Sequence, residues 1–117
     1  MNRVDDTDKL LRHVPFTNPS YIKPDGSITS LAFKLKKHEN GLSVDIERRT
    51  TYDRSVLDRT RFRLYRLEAA FPRSLGLECV HDPLPDNEAH ALITGEFTDA
   101  VSRRLARCAA LVPDPQQ

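Results

Sequence analysis

Residues 75–95 constrain the fold more than any other stretch, because two apolar runs flank a loop rich in proline and acids. The stretch is LGLECVHDPLPDNEAHALITG. Short apolar runs bounded by turn residues are typical of strands, and prolines restrict the loop between them. The stretch therefore predicts a β-hairpin with strands near residues 77–82 and 90–94.

Two further runs of alternating apolar and polar side chains predict a second hairpin. They cover residues 28–36 and residues 42–47, and such alternation is typical of half-buried strands. Asn40-Gly41 lies between them, a pair that tolerates the positive φ of a tight turn. We expect an antiparallel hairpin over residues 28–47 that shares a sheet with the first.

Helices are predicted at both ends of the chain. Residues 5–13 favour a short helix that Pro15 ends, and residues 99–111 favour a longer one with Thr98 as its N-cap. The predicted buried face of the longer helix has four apolar side chains: Val101, Leu105, Cys108 and Val112. Leu105 is expected near the centre of that face.

The segment 53–71 allows two interpretations. A single helix would place its apolar residues on one stripe. Alternatively, residues 53–59 form a short helix, residues 61–64 a strand and residues 67–74 a second short helix. Pro72 disfavours a helix that continues past Phe71, so we prefer the second interpretation.

These patterns predict an α+β fold. Its small, mostly antiparallel sheet would have two hairpins and room for a fifth strand, packed by a C-terminal helix and one or two short helices. A chain of 117 residues fits one domain. That domain would span residues 1–117, with residues 1–4 and 114–117 as loose tails.

Charge and cysteine content narrow the classes of partner and compartment. The net charge is +1, far from the basic character of a dedicated nucleic-acid domain, so nucleic-acid binding is not indicated. No apolar run is long enough for a membrane helix and no secretory signal is visible. We therefore expect a cytoplasmic protein in which Cys79 and Cys108 are reduced, unpaired and buried.

The first hairpin concentrates titratable side chains at its loop. If the loop runs from Asp82 to Ala89, His81 and His90 are cross-strand partners with Cβ atoms about 5 Å apart. Two imidazoles at that separation could share a metal with Asp82 or Asp86, or act as an acid and base pair. A histidine at a strand end also often hydrogen-bonds a loop carbonyl, and this structural role carries the greatest weight.

The candidate site residues follow from this loop. The catalytic candidates are His81 and His90, with Arg12 as the cation that steadies charge. The binding candidates are the polar residues of the loop, Asp82, Asp86, Asn87 and Glu88. No cofactor motif and no accompanying metal-ligand spacing occurs, so neither a cofactor nor a metal is predicted.

The order of several short motifs supports a resemblance to a known kind of protein. RHVP at 12–15, SLAF at 30–33 and LSV at 42–44 come first, and RSLGL at 73–77, HDP at 81–83 and NEAHA at 87–91 follow. Their order resembles that of small single-domain bacterial proteins of unassigned function. The resemblance implies a bacterial, stand-alone protein and supplies no activity, cofactor or site residue.

Two functions from different classes remain. The first is a non-catalytic cytoplasmic accessory module that binds a protein partner through the proline-stiffened acidic loop, since a stiff loop loses less entropy on binding. The alternative is a small metal-independent nuclease or transferase for a phosphate-containing substrate, with His81 and His90 as acid and base. The alternative requires both imidazoles and an arginine in one concave site.

Overall fold

A six-stranded antiparallel sheet organises the protein. The computed structural model describes residues 3–116, and the strand order is β4-β5-β2-β1-β3-β6. The strands are β1 Lys9–Pro15, β2 Leu42–Ile46, β3 Phe62–Glu68, β4 Glu78–His81, β5 His90–Thr94 and β6 Ala110–Leu111. The α-helices are α1 Tyr52–Val56, α2 Ala70–Ser74 and α3 Asp99–Cys108, and short 3₁₀ helices cover Ser30–Phe33 and Glu47–Arg49. The predicted α+β fold is confirmed, with six strands instead of at most five.

One face of the sheet, which we call the helix face, packs against α3 and the first 3₁₀ helix. Alternate residues of β2, Leu42, Val44 and Ile46, point to this face and are at most 2% exposed. The helices contribute Phe33 and Leu105, which are both fully buried. Most of the hydrophobic core therefore lies on this side.

The opposite face, which we call the cleft face, has an apolar half and a polar half. Leu11 of β1 and Leu64 of β3 pack with Val56 of α1 in a small second core. Ser43 and Asp45 of β2 alternate with the core residues of that strand, so they lie on the cleft face. The polar half borders β5 and carries the candidate site described below.

The predicted helix over residues 5–13 is wrong, because β1 occupies most of that segment. Leu10 and Val14 lie on the helix face, whereas Leu11 lies on the cleft face, and all three are buried. A strand covered on both faces loses its apolar–polar alternation. Its sequence pattern then imitates the spacing of a helix.

The predicted strand over residues 28–36 and the hairpin over 28–47 are also wrong. The Thr29 hydroxyl accepts a hydrogen bond from the Leu31 amide and starts the first 3₁₀ helix. The carbonyl of Phe33 is satisfied by the Ser102 hydroxyl of α3 at 2.9 Å, not by a neighbouring strand. Gly41 allows close contact with β5 instead of a turn, because an added Cβ would lie 3.0 Å from the Leu92 Cβ.

The piecewise interpretation of residues 53–71 is confirmed, since α1, β3 and α2 follow one another through this segment and its C-terminal border. Thr98 caps α3 as predicted, with its hydroxyl accepting from the Val101 amide. The helix ends at Cys108, which is exposed, so the prediction that Cys108 is buried is wrong. The buried face of α3 consists of Ser102, Leu105 and Ala106.

Two residues of the segments predicted as loose tails, Val4 and Asp114, make specific contacts. Val4 is 3% exposed in the main core, and its carbonyl accepts a hydrogen bond from Arg73. Asp114 pairs with Arg59 at 2.8 Å. Met1, Asn2 and Gln117 lie outside the described residues. No helix within residues 3–116 has the length and apolar character needed to cross a membrane.

Candidate functional site

A cleft of about 530 Å³ opens on the cleft face of the sheet. Strands β2 and β5 provide its floor with Ser43, Asp45 and His90. One wall comes from residues 49–57, around α1, and the other from residues 84–88 of the acidic loop. The cleft therefore lies between an arginine-bearing segment and an acid-bearing segment.

Asp45 joins both walls to the floor. Its carboxylate oxygens accept hydrogen bonds from the Ser55 hydroxyl of α1 at 2.7 Å and from the Asn87 side-chain amide at 2.9 Å. Asp45 is 3% exposed, and a buried carboxylate needs such donors to offset its lost hydration. The two walls are thus held by one buried acid.

Ser43, His90 and Asp82 form a chain of polar contacts across the floor. His90 Nδ1 lies 2.9 Å from the Asp82 carbonyl oxygen and 3.2 Å from the Asp82 Oδ2. Both are acceptors, so Nδ1 carries the proton of the neutral ring. The other ring nitrogen, Nε2, is then an acceptor for the Ser43 hydroxyl, 3.1 Å away. This is the arrangement of a base that can remove a proton from serine.

His13 lines the same cleft from β1. Its Nε2 donates to the Ser55 carbonyl, which leaves Nδ1 as the lone-pair nitrogen of the neutral ring. Burial lowers the pKa of His13, opposed by the charge of Asp45 and assisted by that of Arg12. The imidazole is therefore neutral at neutral pH.

Two arginines give the cleft its positive charge. Arg49 Nη1 pairs with Glu88 at 2.7 Å, while its Nε is buried without a hydrogen-bond acceptor among the described residues. Arg54 is exposed, and its side chain has no ion-pair partner within residues 3–116. An unsatisfied buried donor is costly, so Arg49 lowers the stability of this wall in the free protein.

The rim of the cleft is apolar and locally strained at Leu57. This residue has φ 67° and ψ −62°, and the Asp58 amide bonds the Val56 carbonyl at 2.7 Å across it. That geometry is a strained γ-turn, yet the leucine side chain is 75% exposed. Leu84 on the facing loop is 41% exposed, so both walls present apolar side chains to solvent.

The predicted pairing of His81 with His90 is wrong by one residue. His81 pairs with Ala91, and the Asp82 amide donates to the His90 carbonyl at 2.9 Å. A shift of one residue sends a side chain to the other face. His90 therefore lies in the cleft, whereas His81 lies on the helix face with its side chain 1% exposed and its Nε2 bonded to the Glu88 carbonyl at 2.6 Å.

The loop accounts for this shift. Leu84 and Asn87 exchange two backbone hydrogen bonds around a tight turn. Asn87 then forms a second turn, because its side-chain oxygen accepts from the Ala89 amide and its carbonyl accepts from the His90 amide. The two consecutive turns shift the pairing of β4 with β5 by one residue from the predicted register. His81 and His90 lie on opposite faces of the sheet, so the two imidazoles do not share the cleft.

Arg12 also lies outside the cleft. Its guanidinium donates to the Ala32 carbonyl at 2.9 Å and to the Ser43 carbonyl at 2.8 Å, on the helix face. Burial lowers the pKa of Arg12, and the charges of Glu39 and Tyr21 oppose that shift. Arg12 therefore connects β1, β2 and the first 3₁₀ helix, a structural role.

The four predicted binding residues have different positions around the loop. Asp86, Asn87 and Glu88 line the cleft; Asn87 is bonded to Asp45, Glu88 is paired with Arg49, and Asp86 is exposed. Asp82 lies behind His90 and contacts its ring. The structure thus brings His90 and all four loop residues together on the cleft side of the hairpin. His81 contacts Glu88 from the helix face, and Arg12 lies apart from the loop.

The cleft also contains residues that were not among the predicted site residues, namely His13, Ser43, Asp45 and Arg49. One local signal was available: Ser43 and Asp45 are the polar positions of an otherwise apolar strand, and positions two apart share a face. The predicted helix removed His13 from the sheet, so no shared face could be inferred for it. Arg49 gave no such signal either.

Comparisons with known proteins add no assignment to this geometry. The chain matches no protein-family model, no curated protein and no solved structure. Within residues 3–116, no group of three histidine, cysteine or acidic side chains is placed to hold a metal ion. The functional interpretation therefore rests on the cleft itself.

Proposed function

We propose that this protein is a cytoplasmic accessory module that binds an extended segment of a partner protein in the cleft. The segment would place an apolar side chain against Leu57 and Leu84 and a carboxylate near Arg54. The observation that carries the proposal is the strained, 75% exposed Leu57 on the cleft rim.

The energetics of Leu57 support a binding role. A non-glycine residue in such a conformation costs about 1–3 kcal/mol, and burial of a leucine side chain would return a comparable amount on binding. Strained residues of this kind cluster at ligand contacts. Glycine would fit the turn without strain, so the leucine reduces the stability of the free protein and gains contact area only in a complex.

The walls suit a segment of chain better than a flat surface. Asp45 holds both of them in place before binding, which lowers the entropy lost on association. Arg54 is a cation that lines the cleft without an ion-pair partner among the described residues. An apolar side chain followed by a carboxylate would match the apolar rim and Arg54.

The test is selection of binding peptides from a displayed random library, with wild-type protein as bait. Peptides with an apolar residue next to an acid should be enriched, and Leu57→Gly should bind them at least about tenfold more weakly. Leu57→Gly should also raise the free energy of unfolding by about 1 kcal/mol, because the turn is relieved.

Arg104→Ala provides the matched control. Arg104 is exposed on α3, which packs on the helix face, and it does not line the cleft. It should change neither binding nor stability. The proposal fails if no peptide is enriched over the Leu57→Gly bait. It also fails if Leu57→Gly binds as well as the wild type.

A further inference from the structure

We propose that the cleft floor is a hydrolytic site for carboxylic esters, with Ser43 as the nucleophile, His90 as the general base and Asp82 as the residue that positions His90. This activity does not depend on the partner proposed above, because Ser43 and His90 belong to the floor and not to the apolar rim, and Arg49 of the adjoining wall assists them. Three independent observations support it.

The first observation is the direction of the hydrogen bonds. Asp82 offers only acceptors to His90 Nδ1, its carbonyl at 2.9 Å and its Oδ2 at 3.2 Å. The proton of the neutral ring is therefore on Nδ1, and Nε2 faces the Ser43 hydroxyl as a base at 3.1 Å. A nucleophile, a base and a group that orients the base make up the triad used for acyl transfer.

The second observation is access. Ser43 and His90 both line the open cleft, so a substrate can reach the reacting atoms. The His90 side chain is 13% exposed and the Asp82 side chain is 47% exposed, and only the former lines the cleft. A serine and histidine that served only to join two strands would not require a cleft above them.

The third observation is the position of Arg49. Its side chain lines the cleft and is 18% exposed. Acyl transfer passes through a tetrahedral intermediate whose oxygen becomes negative, and a fixed cation stabilises that charge. Arg49 is held for this role by its ion pair with Glu88.

The reaction balances with water as the only co-reactant. His90 Nε2 takes the hydroxyl proton as Ser43 Oγ forms a bond to the ester carbonyl carbon. The bond from that carbon to the alcohol oxygen then breaks, and the alcohol leaves with the proton from His90. Water gives a proton to His90 and its oxygen bonds to the acyl carbon. The bond from that carbon to Ser43 Oγ then breaks and His90 returns the proton to Oγ, which releases the carboxylic acid and restores the Ser43 hydroxyl.

The experiment uses the full chain and two reagents, a fluorophosphonate and 4-nitrophenyl acetate. The fluorophosphonate should form one adduct per wild-type chain, and peptide mapping should place it on Ser43. Ser43→Ala and His90→Gln should hydrolyse the acetate at least about 100-fold more slowly, in line with loss of a nucleophile or a general base. Circular dichroism would verify that both variants are folded.

Asp82→Asn tests the positioning role. The backbone carbonyl still holds Nδ1, so a loss of only about tenfold is expected. The loss should fall on kcat and leave KM nearly unchanged, because Asp82 orients the base and does not line the cleft. A merely structural change in the loop would raise KM as well.

His38→Gln is the control for unspecific reaction of the acetate with surface histidines, since His38 is exposed in a loop. It should keep the wild-type rate. Wild-type protein without an adduct on Ser43 would overturn the proposal, and this readout needs no variant to fold. Undiminished hydrolysis by Ser43→Ala would overturn it as well.

Discussion

At the residue scale, burial makes the stability of this protein sensitive to pH through His13. The ring packs edge-on against Phe62 at 5.8 Å and donates to the Ser55 carbonyl. Burial lowers the pKa of His13, whereas an imidazole in the unfolded chain titrates near 6.5. Below that pH, the unfolded chain binds more protons than the folded one.

We therefore predict that the free energy of unfolding falls as the pH decreases from 7 to 5, and that His13→Gln flattens this dependence. Stability rises with pH wherever the unfolded state binds more protons, and one such group contributes at most about 1.4 kcal/mol per pH unit. Glutamine can still donate to the Ser55 carbonyl, so stability at pH 7.5 should change little. Urea denaturation at several pH values measures both slopes, and equal slopes would contradict the prediction.

Register shows how far single residues could be predicted. His81 and His90 were correctly assigned to the two strands of one hairpin, but only one of them reaches the cleft. Alternation along a strand identifies which residues share a face. It does not identify which residue on the next strand lies opposite, because that depends on the turns formed by Leu84 and Asn87.

At the element scale, α3 was predictable because its signals are local. Thr98 caps it and Leu105 is fully buried at its centre. The first 3₁₀ helix was not predictable, because its carbonyls accept hydrogen bonds from Arg12 and Ser102, which are distant in sequence. Alternation over residues 28–36 is real in the sequence, but within residues 3–116 this segment forms an isolated bridge between Ile28 and Ile22 and no strand.

We predict that Leu105→Ala lowers the free energy of unfolding by about 2–5 kcal/mol, as for other fully buried leucines. The side chain fills the core between α3 and the helix face of the sheet. Arg104→Ala, one position away and exposed, should change stability by less than about 0.5 kcal/mol. Chemical denaturation of both variants measures the difference. A loss of a few tenths for Leu105→Ala would mean that α3 is peripheral to the core.

At the scale of the whole molecule, the sheet covers one cysteine and leaves the other in solvent. Cys79 of β4 is 3% exposed on the helix face, and burial raises the pKa of its thiol to about 11, opposed by the charge of Arg73. Cys108 at the end of α3 is exposed, and both thiols are free. The thiolate is the reactive form, so the two should differ strongly in rate.

A thiol reagent should therefore modify one cysteine of the native protein, Cys108, and both cysteines in denaturant. Cys108→Ser should abolish the fast reaction and leave a single slow site. Native-state labelling of Cys79 at a rate similar to that of Cys108 would be inconsistent with the layer assignment of β4.

The sequence by itself determined the fold class and the elements whose signals are local. These are β2 and the hairpin of β4 and β5, which show short apolar or alternating runs, and α3, which has a cap and an apolar stripe. Each depends on neighbours within a few residues, so its propensity and pattern already specify it.

Only the tertiary structure decided the centre of the sheet and the contents of the cleft. β1 is a strand because both of its faces are covered, which no pattern within residues 9–15 shows. Ser43, His90 and Asp45 meet because β2 and β5 pair in one particular register, and a slip of one residue would turn His90 to the helix face. Register depends on turns and on burial across the whole sheet, so it becomes defined only when the distant parts of the chain pack together.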